Sequence, residues 1–191
     1  MEVKPSDALI IVDLQVDFCP GGALAVAEGD AIVPLVNALV PKFATVVASR
    51  DWHPPDHCSF SDAPEFVDGS WPAHCVADTP GAGFHPKFRV PGNALIMSKG
   101  TEADTEAYSA FQGTLLADEL SDRKCERVYV CGLATDYCVK ATAMDALVSG
   151  FGVVLIEDAC RAVDVPPGTA RYALEYMREA GVLFCRAGDV A

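Results

Sequence analysis

The chain has 191 residues, 51% of them hydrophobic and 21% charged, with 15 Gly and 13 Pro and no low-complexity run or heptad repeat. That length suits one domain over residues 1–191, with about 70% of the unfolded chain's surface buried, and the composition excludes a disordered or fibrous protein. The 14 basic and 27 acidic residues give a formal charge of -13, which repels phosphate backbones and anionic lipid headgroups, so neither nucleic acid nor membrane is expected as a partner.

The amino terminus, "MEVKPSDALIIVD", passes from a charged lead into an apolar run too short for a secretory segment or a bilayer span, so a cytosolic protein is expected. Short continuous apolar runs then recur at 8–13, 45–50, 94–99, 127–132, 152–158 and 181–186. Each is rich in Val, Ile or Leu without alternation, as strands covered on both faces of a parallel sheet require. Between them lie stretches of helical spacing at 30–42, 114–123, 136–149 and 168–180, the last opened by Pro166 and Pro167 and closed by Gly181. Alternation of strand and helix predicts an α/β class: a three-layer α/β/α domain with a mostly parallel, Rossmann-like sheet of about six strands. Residues 51–93, and the shorter stretch after Lys99, are crowded with Pro, Gly, His and aromatics and have no period. Irregular segments of that length inside a compact domain usually carry function.

The eight cysteines include no CxxC pair and no tetrad at zinc-finger spacing. A chain of this size needs no disulfide framework, so most are read as reduced, buried thiols. Cys138 is the exception, because the run "VYVCGLATDYCVKATAMDA" places it where a strand ends and a helix begins. Ligands of open α/β sheets bind outside the carboxyl ends of the strands. Asp13 closes the first strand, Asp51 follows the second, Lys99 closes the third and Cys138 opens the helix after the fourth. Four polar groups from successive strands thus converge on one rim. A thiol in the first helical turn is expected to be held toward thiolate by the helix dipole and by Lys99, and Asp13 can take its proton. The turn "GLATD" before the helix can aim backbone N–H groups, such as those of Ala134 and Cys138, at a developing oxyanion.

Of four histidines, His53, His57 and His74 lie in the irregular segment beside Asp51, whereas His85 reads as a surface group. In "DWH" the carboxylate and imidazole are two residues apart, so an extended backbone points both to one side, where they can share an ion. Asp with two or three His leaves coordination positions open for a substrate. Zinc, iron and manganese all accept such donors, zinc foremost.

The stretches "ALIIVDLQVDFCPGGALAV", "SRDWHPPDHCSF", "WPAHCVADTPGAGFHP", "SKGTEADTEAYSAF" and "VYVCGLATDYCVKATAMDA", with "DACRAV" after them, together resemble the nicotinamidases of the isochorismatase-like cysteine hydrolase superfamily over nearly the whole chain. The resemblance implies Asp13, Lys99 and Cys138 as a catalytic triad and Asp51, His53 and His74 as ligands of one divalent metal ion. It implies His57 as a fourth ligand or a group behind the ligands. It also implies Phe18, Trp71, Tyr108 and Leu133 as pocket residues, and a cis bond between Leu133 and Ala134 that builds the oxyanion hole. The implied activity is hydrolysis of nicotinamide, and of pyrazinamide, to the acid and ammonia through a cysteine thioester, in the salvage of NAD. A homo-oligomer is allowed but not required. Two other readings stay open: an amidase of the same superfamily acting on a carbamoyl or ureido compound, and a noncatalytic thiol or metal-binding protein that uses Cys138 as a redox sensor.

Overall fold

The structure, a computed structural model, describes residues 1–191. Its centre is β1 (Asp7–Val12), every residue of which is buried. Only a strand flanked on both edges and covered on both faces can be apolar without alternation, and β1 pairs in parallel with β2 (Thr45–Asp51) on one side and β4 (Arg127–Leu133) on the other. Adding β3 (Leu95–Lys99), β5 (Gly152–Arg161) and β6 (Leu183–Cys185) gives a six-stranded sheet in the order β3-β2-β1-β4-β5-β6, parallel throughout. The chain moves outward from β1 to β3, then crosses back to β4 and moves outward again. Right-handed crossovers therefore place α1 (Val33–Leu39) on one face, and α2 (Leu116–Asp122), α3 (Lys140–Val148) and α4 (Thr169–Glu179) on the other, which makes three layers.

Each helix buries a stripe set by its spacing: Val33, Val36 and Leu39 on α1, Leu116 and Leu120 on α2, Ala173 and Met177 on α4. All of these but Ala173 join the strands in one core of 45 buried residues, each large one contributing about 1.5–3 kcal/mol of transfer free energy. The helical spacing at 30–42 resolves into α1 with a 3-10 turn at each end, Gly29–Ile32 and Val40–Lys42. Pro41 ends the α-helix because it has no N–H to give the ladder and its ring crowds the preceding turn. Gly168, with φ +98, and Gly181, with φ +99, bound α4 as its start and stop signals require.

Two strands depart from their expected bounds: β6 shrinks from the run 181–186 to Leu183–Cys185, and β5 lengthens. β5 runs to Arg161 rather than stopping at 158, with its register against β4 shifting between Val130 and Gly132. Gly132, with φ +123, permits this bulge: a Cβ there would stand 2.1 Å from the Val12 carbonyl oxygen and 2.6 Å from its nitrogen. The bulge lies at the carboxyl end of β4, one residue before the strand gives way to the chemistry-bearing turn. No helix is long and apolar enough to cross a membrane.

Candidate active site

All six strands point the same way, so their carboxyl ends form one rim, and the order reverses between β1 and β4. That switch point opens a crevice. Asp13 follows β1 with φ 47, a left-handed conformation that Asp tolerates better than most residues. Asp51 and Lys99 are the last residues of β2 and β3 and sit opposite each other in register. The turn after β4 is a single π-helical turn, Thr135–Val139, leading into α3. Cys138 is therefore held in a π turn, a geometry that recurs at functional sites.

The expected partners meet. Lys99 Nζ lies 2.9 Å from Asp13 Oδ2, 3.4 Å from Cys138 Sγ and 3.1 Å from the Ala107 carbonyl, and it also hydrogen-bonds Asp51 Oδ1. Asp13, Asp51 and Cys138 each bring a donor atom within 4.8 Å of the others. Asp13 Oδ1 accepts from Ser49 Oγ at 2.7 Å. Its Oδ2, although close to the ammonium, accepts no hydrogen bond of good geometry, leaving a lone pair in the crevice. Burial pulls the Lys99 pKa down; Asp13 and then Asp51 outweigh that and hold it well above the usual range. Burial raises Asp13, with Lys99 opposing and Asp51 adding, and the net shift is upward. Asp51 goes the other way, because Lys99 and His53 overcome its burial.

The expected thiolate is not what this turn produces. Cys138 is 7% exposed, and burial pushes its pKa well above that of a free thiol, with Lys99 opposing and Asp13 and Asp51 adding. Burial at the bottom of a crevice disfavours the charged sulfur more than the Lys99 ammonium favours it. The sulfur lies in one cluster with Asp13, whose carboxyl has raised proton affinity and can take the thiol proton when the sulfur attacks. The Leu133–Ala134 peptide bond is cis, and the Ala134 N–H donates to none of the protein's own acceptors.

Asp51, His53 and His74 form a second cluster, all buried, with one donor atom each within 4.8 Å of the others. Asp51 Oδ2 is 3.4 Å from His53 Nε2 and 3.9 Å from His74 Nε2. His53 Nδ1 donates to the Gly100 carbonyl and His74 Nδ1 to the Pro72 carbonyl, both at 2.8 Å. A carbonyl can only accept, so each Nδ1 carries a proton and each Nε2 is turned toward the carboxylate. This is the tautomer and support that metal-bound imidazoles adopt, and the residues fit a divalent ion. His57 stands apart. Its Nε2 donates to the Thr105 carbonyl at 3.2 Å, and its Nδ1 accepts from Ser59 Oγ at 2.8 Å. Both nitrogens are occupied, and the ring packs 4.0 Å from His53, centroid to centroid. The structure thus places it behind the ligand set. His85 lies outside the site and accepts from the Lys87 N–H.

Above both clusters opens a cavity of about 440 Å³, counting its mouth, whose walls include Phe18, Trp71, Tyr108, Ala134 and Cys138. Trp71 Nε1 donates to the Tyr108 hydroxyl at 3.0 Å, which fixes two aromatic planes. Leu133 does not reach this cavity. Its side chain is buried toward Gly29, where a Cβ would lie 3.3 Å from Leu133 Cδ1, so it supports the turn from the core side.

Several contributors had no signal strong enough to single them out. Gln15 is fully buried: it accepts from the Asp51 N–H and donates to the Asp51 and Ala82 carbonyls, each at 2.8 Å. Asp17 accepts from the Cys75 N–H at 2.8 Å, bracing the residue after His74. Both stand in "DLQVDF", at alternate positions after Asp13. Gly100, with φ +60, lets the His53 ring approach so closely that a Cβ would stand 2.4 Å from His53 Cε1. Tyr137 joins the pocket wall, with its ring 4.9 Å from Trp71.

A six-stranded parallel sheet in a three-layer α/β fold thus carries a buried thiol, ammonium and carboxylate at its switch point. The isochorismatase domain matches residues 7–189, and the chain belongs to the isochorismatase family. It is 41% identical over 206 residues to a nicotinamidase of Escherichia coli, covering 97% of both chains. It superposes on a pyrazinamidase of Pyrococcus horikoshii solved with zinc, with TM-score 0.87, 49% identity and coverage of 95% and 99%. A third similar structure is PnC1 of L. infantum in complex with nicotinate, with TM-score 0.90, 38% identity and coverage of 100% and 98%.

Proposed function

We propose that this chain is a nicotinamidase, hydrolysing nicotinamide to nicotinate and ammonia and accepting pyrazinamide by the same route. The observation that carries this reading is the buried contact of Cys138, Lys99 and Asp13 beside three metal donors, at the floor of an aromatic-walled cavity. The names borne by its relatives support the substrate. Divalent metal, zinc foremost, would be held by Asp51, His53 and His74 and would supply a Lewis-acid anchor for the ring nitrogen.

The residues then divide the work. Phe18, Trp71 and Tyr108 grip the flat ring and exclude water. Asp13 takes the proton of Cys138 as the sulfur bonds to the carboxamide carbon, and Lys99, 3.4 Å from the sulfur, balances the charge that develops there. The carbonyl electrons move onto oxygen, where the Ala134 and Cys138 N–H groups receive them. As the C–N bond breaks, Asp13 passes its proton to nitrogen and ammonia leaves. Asp13 next takes a proton from water, whose oxygen attacks the thioester. The C–S bond breaks, the sulfur recovers a proton and nicotinate is released. A carboxyl of raised proton affinity suits this double transfer better than an ordinary one.

The continuous family match and the single sheet support treating residues 7–189 as one domain. Eight free cysteines suit a cytoplasmic location. An ammonia-release assay over nicotinamide, pyrazinamide, an aliphatic amide and a carbamoyl amino acid tests the reading. The first two should be turned over and the others left almost untouched. Preference for the carbamoyl compound would transfer the chain to its amidase relatives.

A further inference from the structure

The cavity wall carries one carboxylate for which the mechanism above has no use. Glu106 lines the cavity with Trp71, Tyr108 and Tyr137, and it takes part in none of the protein's ion pairs. Its Oε1 accepts only from the Ala107 N–H, at 2.9 Å. Its backbone is tethered on three sides. The preceding carbonyl, of Thr105, holds His57; its own carbonyl accepts from Gln112 Nε2 at 3.0 Å; and the next carbonyl, of Ala107, holds Lys99. A charge held in a partly buried wall and paired with no cation of its own acts on whatever enters the cavity.

We propose that Glu106 sets the charge selectivity of the cavity, disfavouring anionic ring ligands over neutral ones and so helping to expel the carboxylate product. The proposal rests on the nicotinamidase reading, in which an uncharged amide becomes an anion within the same walls. A fixed negative charge leaves the amide nearly unaffected and raises the free energy of the bound acid, so it lowers product affinity more than substrate affinity.

The test uses the full-length, metal-loaded protein in the Cys138→Ala background, where nicotinamide can bind without being consumed. Calorimetry with nicotinate and with nicotinamide gives the ratio of their dissociation constants, with and without Glu106→Gln. Removing the charge should shift that ratio by about fivefold or more in favour of nicotinate, and the shift should shrink between low and high salt as screening takes over. Glu106→Lys should move it further in the same direction. A ratio that Glu106→Gln leaves unchanged while both ligands bind overturns the role of Glu106 and leaves the nicotinamidase reading standing. If the parent binds neither ligand and the wild type releases no ammonia from nicotinamide, the reading and the proposal fall together.

Discussion

Lys99 has more to satisfy than any other residue of the site. Fully buried, it meets Asp13, Asp51, the sulfur of Cys138 and the Ala107 carbonyl, so it joins the reacting cluster to the ligand cluster as well as neutralising both. Removing one partner from a buried network of this kind leaves charges unpaired, which costs about 3–5 kcal/mol. Lys99→Met should therefore lower Tm as well as abolish turnover, and an unchanged melting curve would show that the ammonium is not integral to the fold. Ser49 has a narrower task. Its hydroxyl is the hydrogen bond on Asp13 Oδ1, and a bond to a charged group is worth about 1.5–3 kcal/mol. Ser49→Ala should cut kcat/KM roughly 10- to 100-fold, within what that bond energy allows, while leaving metal content intact. His53→Ala should instead raise KM, because the ring loses its anchor; steady-state kinetics showing lost kcat at unchanged KM would point to a metal-activated water.

At the level of elements, the site depends on where four strands end and on two glycines that allow close approach. Gly100 faces the His53 ring, so Gly100→Ala should displace that ring and empty the metal site while the far-ultraviolet circular dichroism stays native; elemental analysis reads the loss. Gly132→Ala meets backbone rather than a side chain and should destabilise the whole sheet. How much of this was legible follows the same division. The six strands, the four helices and the rim positions of Asp13, Asp51, Lys99 and Cys138 show in the sequence, because a doubly covered strand has to be apolar throughout and its end can be located from the polar residue that stops it. The burial of Cys138 does not show: a helix start read from spacing cannot be told from a π turn, and it is burial that pushes the thiol pKa up. Nor do the side chains that complete the walls. Tyr137 and Glu106 reach the cavity through turns and irregular backbone, and Leu133, one residue from a reacting group, points into the core. His57, expected as a fourth ligand or as a group behind the ligands, has both nitrogens hydrogen-bonded, to the Thr105 carbonyl and to Ser59, contacts that sequence spacing does not reveal.

For the whole molecule, the parallel sheet with its reversal between β1 and β4 brings together residues as far apart in the chain as Asp13 and Cys138. The metal cluster sits inside the same construction, tied to β2 through Asp51 and to β3 through Lys99, so ion binding and folding are linked. Stripping the metal with a chelator should lower Tm and suppress nicotinamide binding, and both should return on adding zinc, iron or manganese. What this architecture is held to achieve is nucleophilic attack by one buried sulfur among eight cysteines. The most direct measurement is ammonia release from nicotinamide by Cys138→Ala, with fold and metal content verified on the same sample. A loss of at least about a thousandfold, the order expected when a covalent nucleophile is removed, is the predicted result; release at the wild-type rate would contradict it.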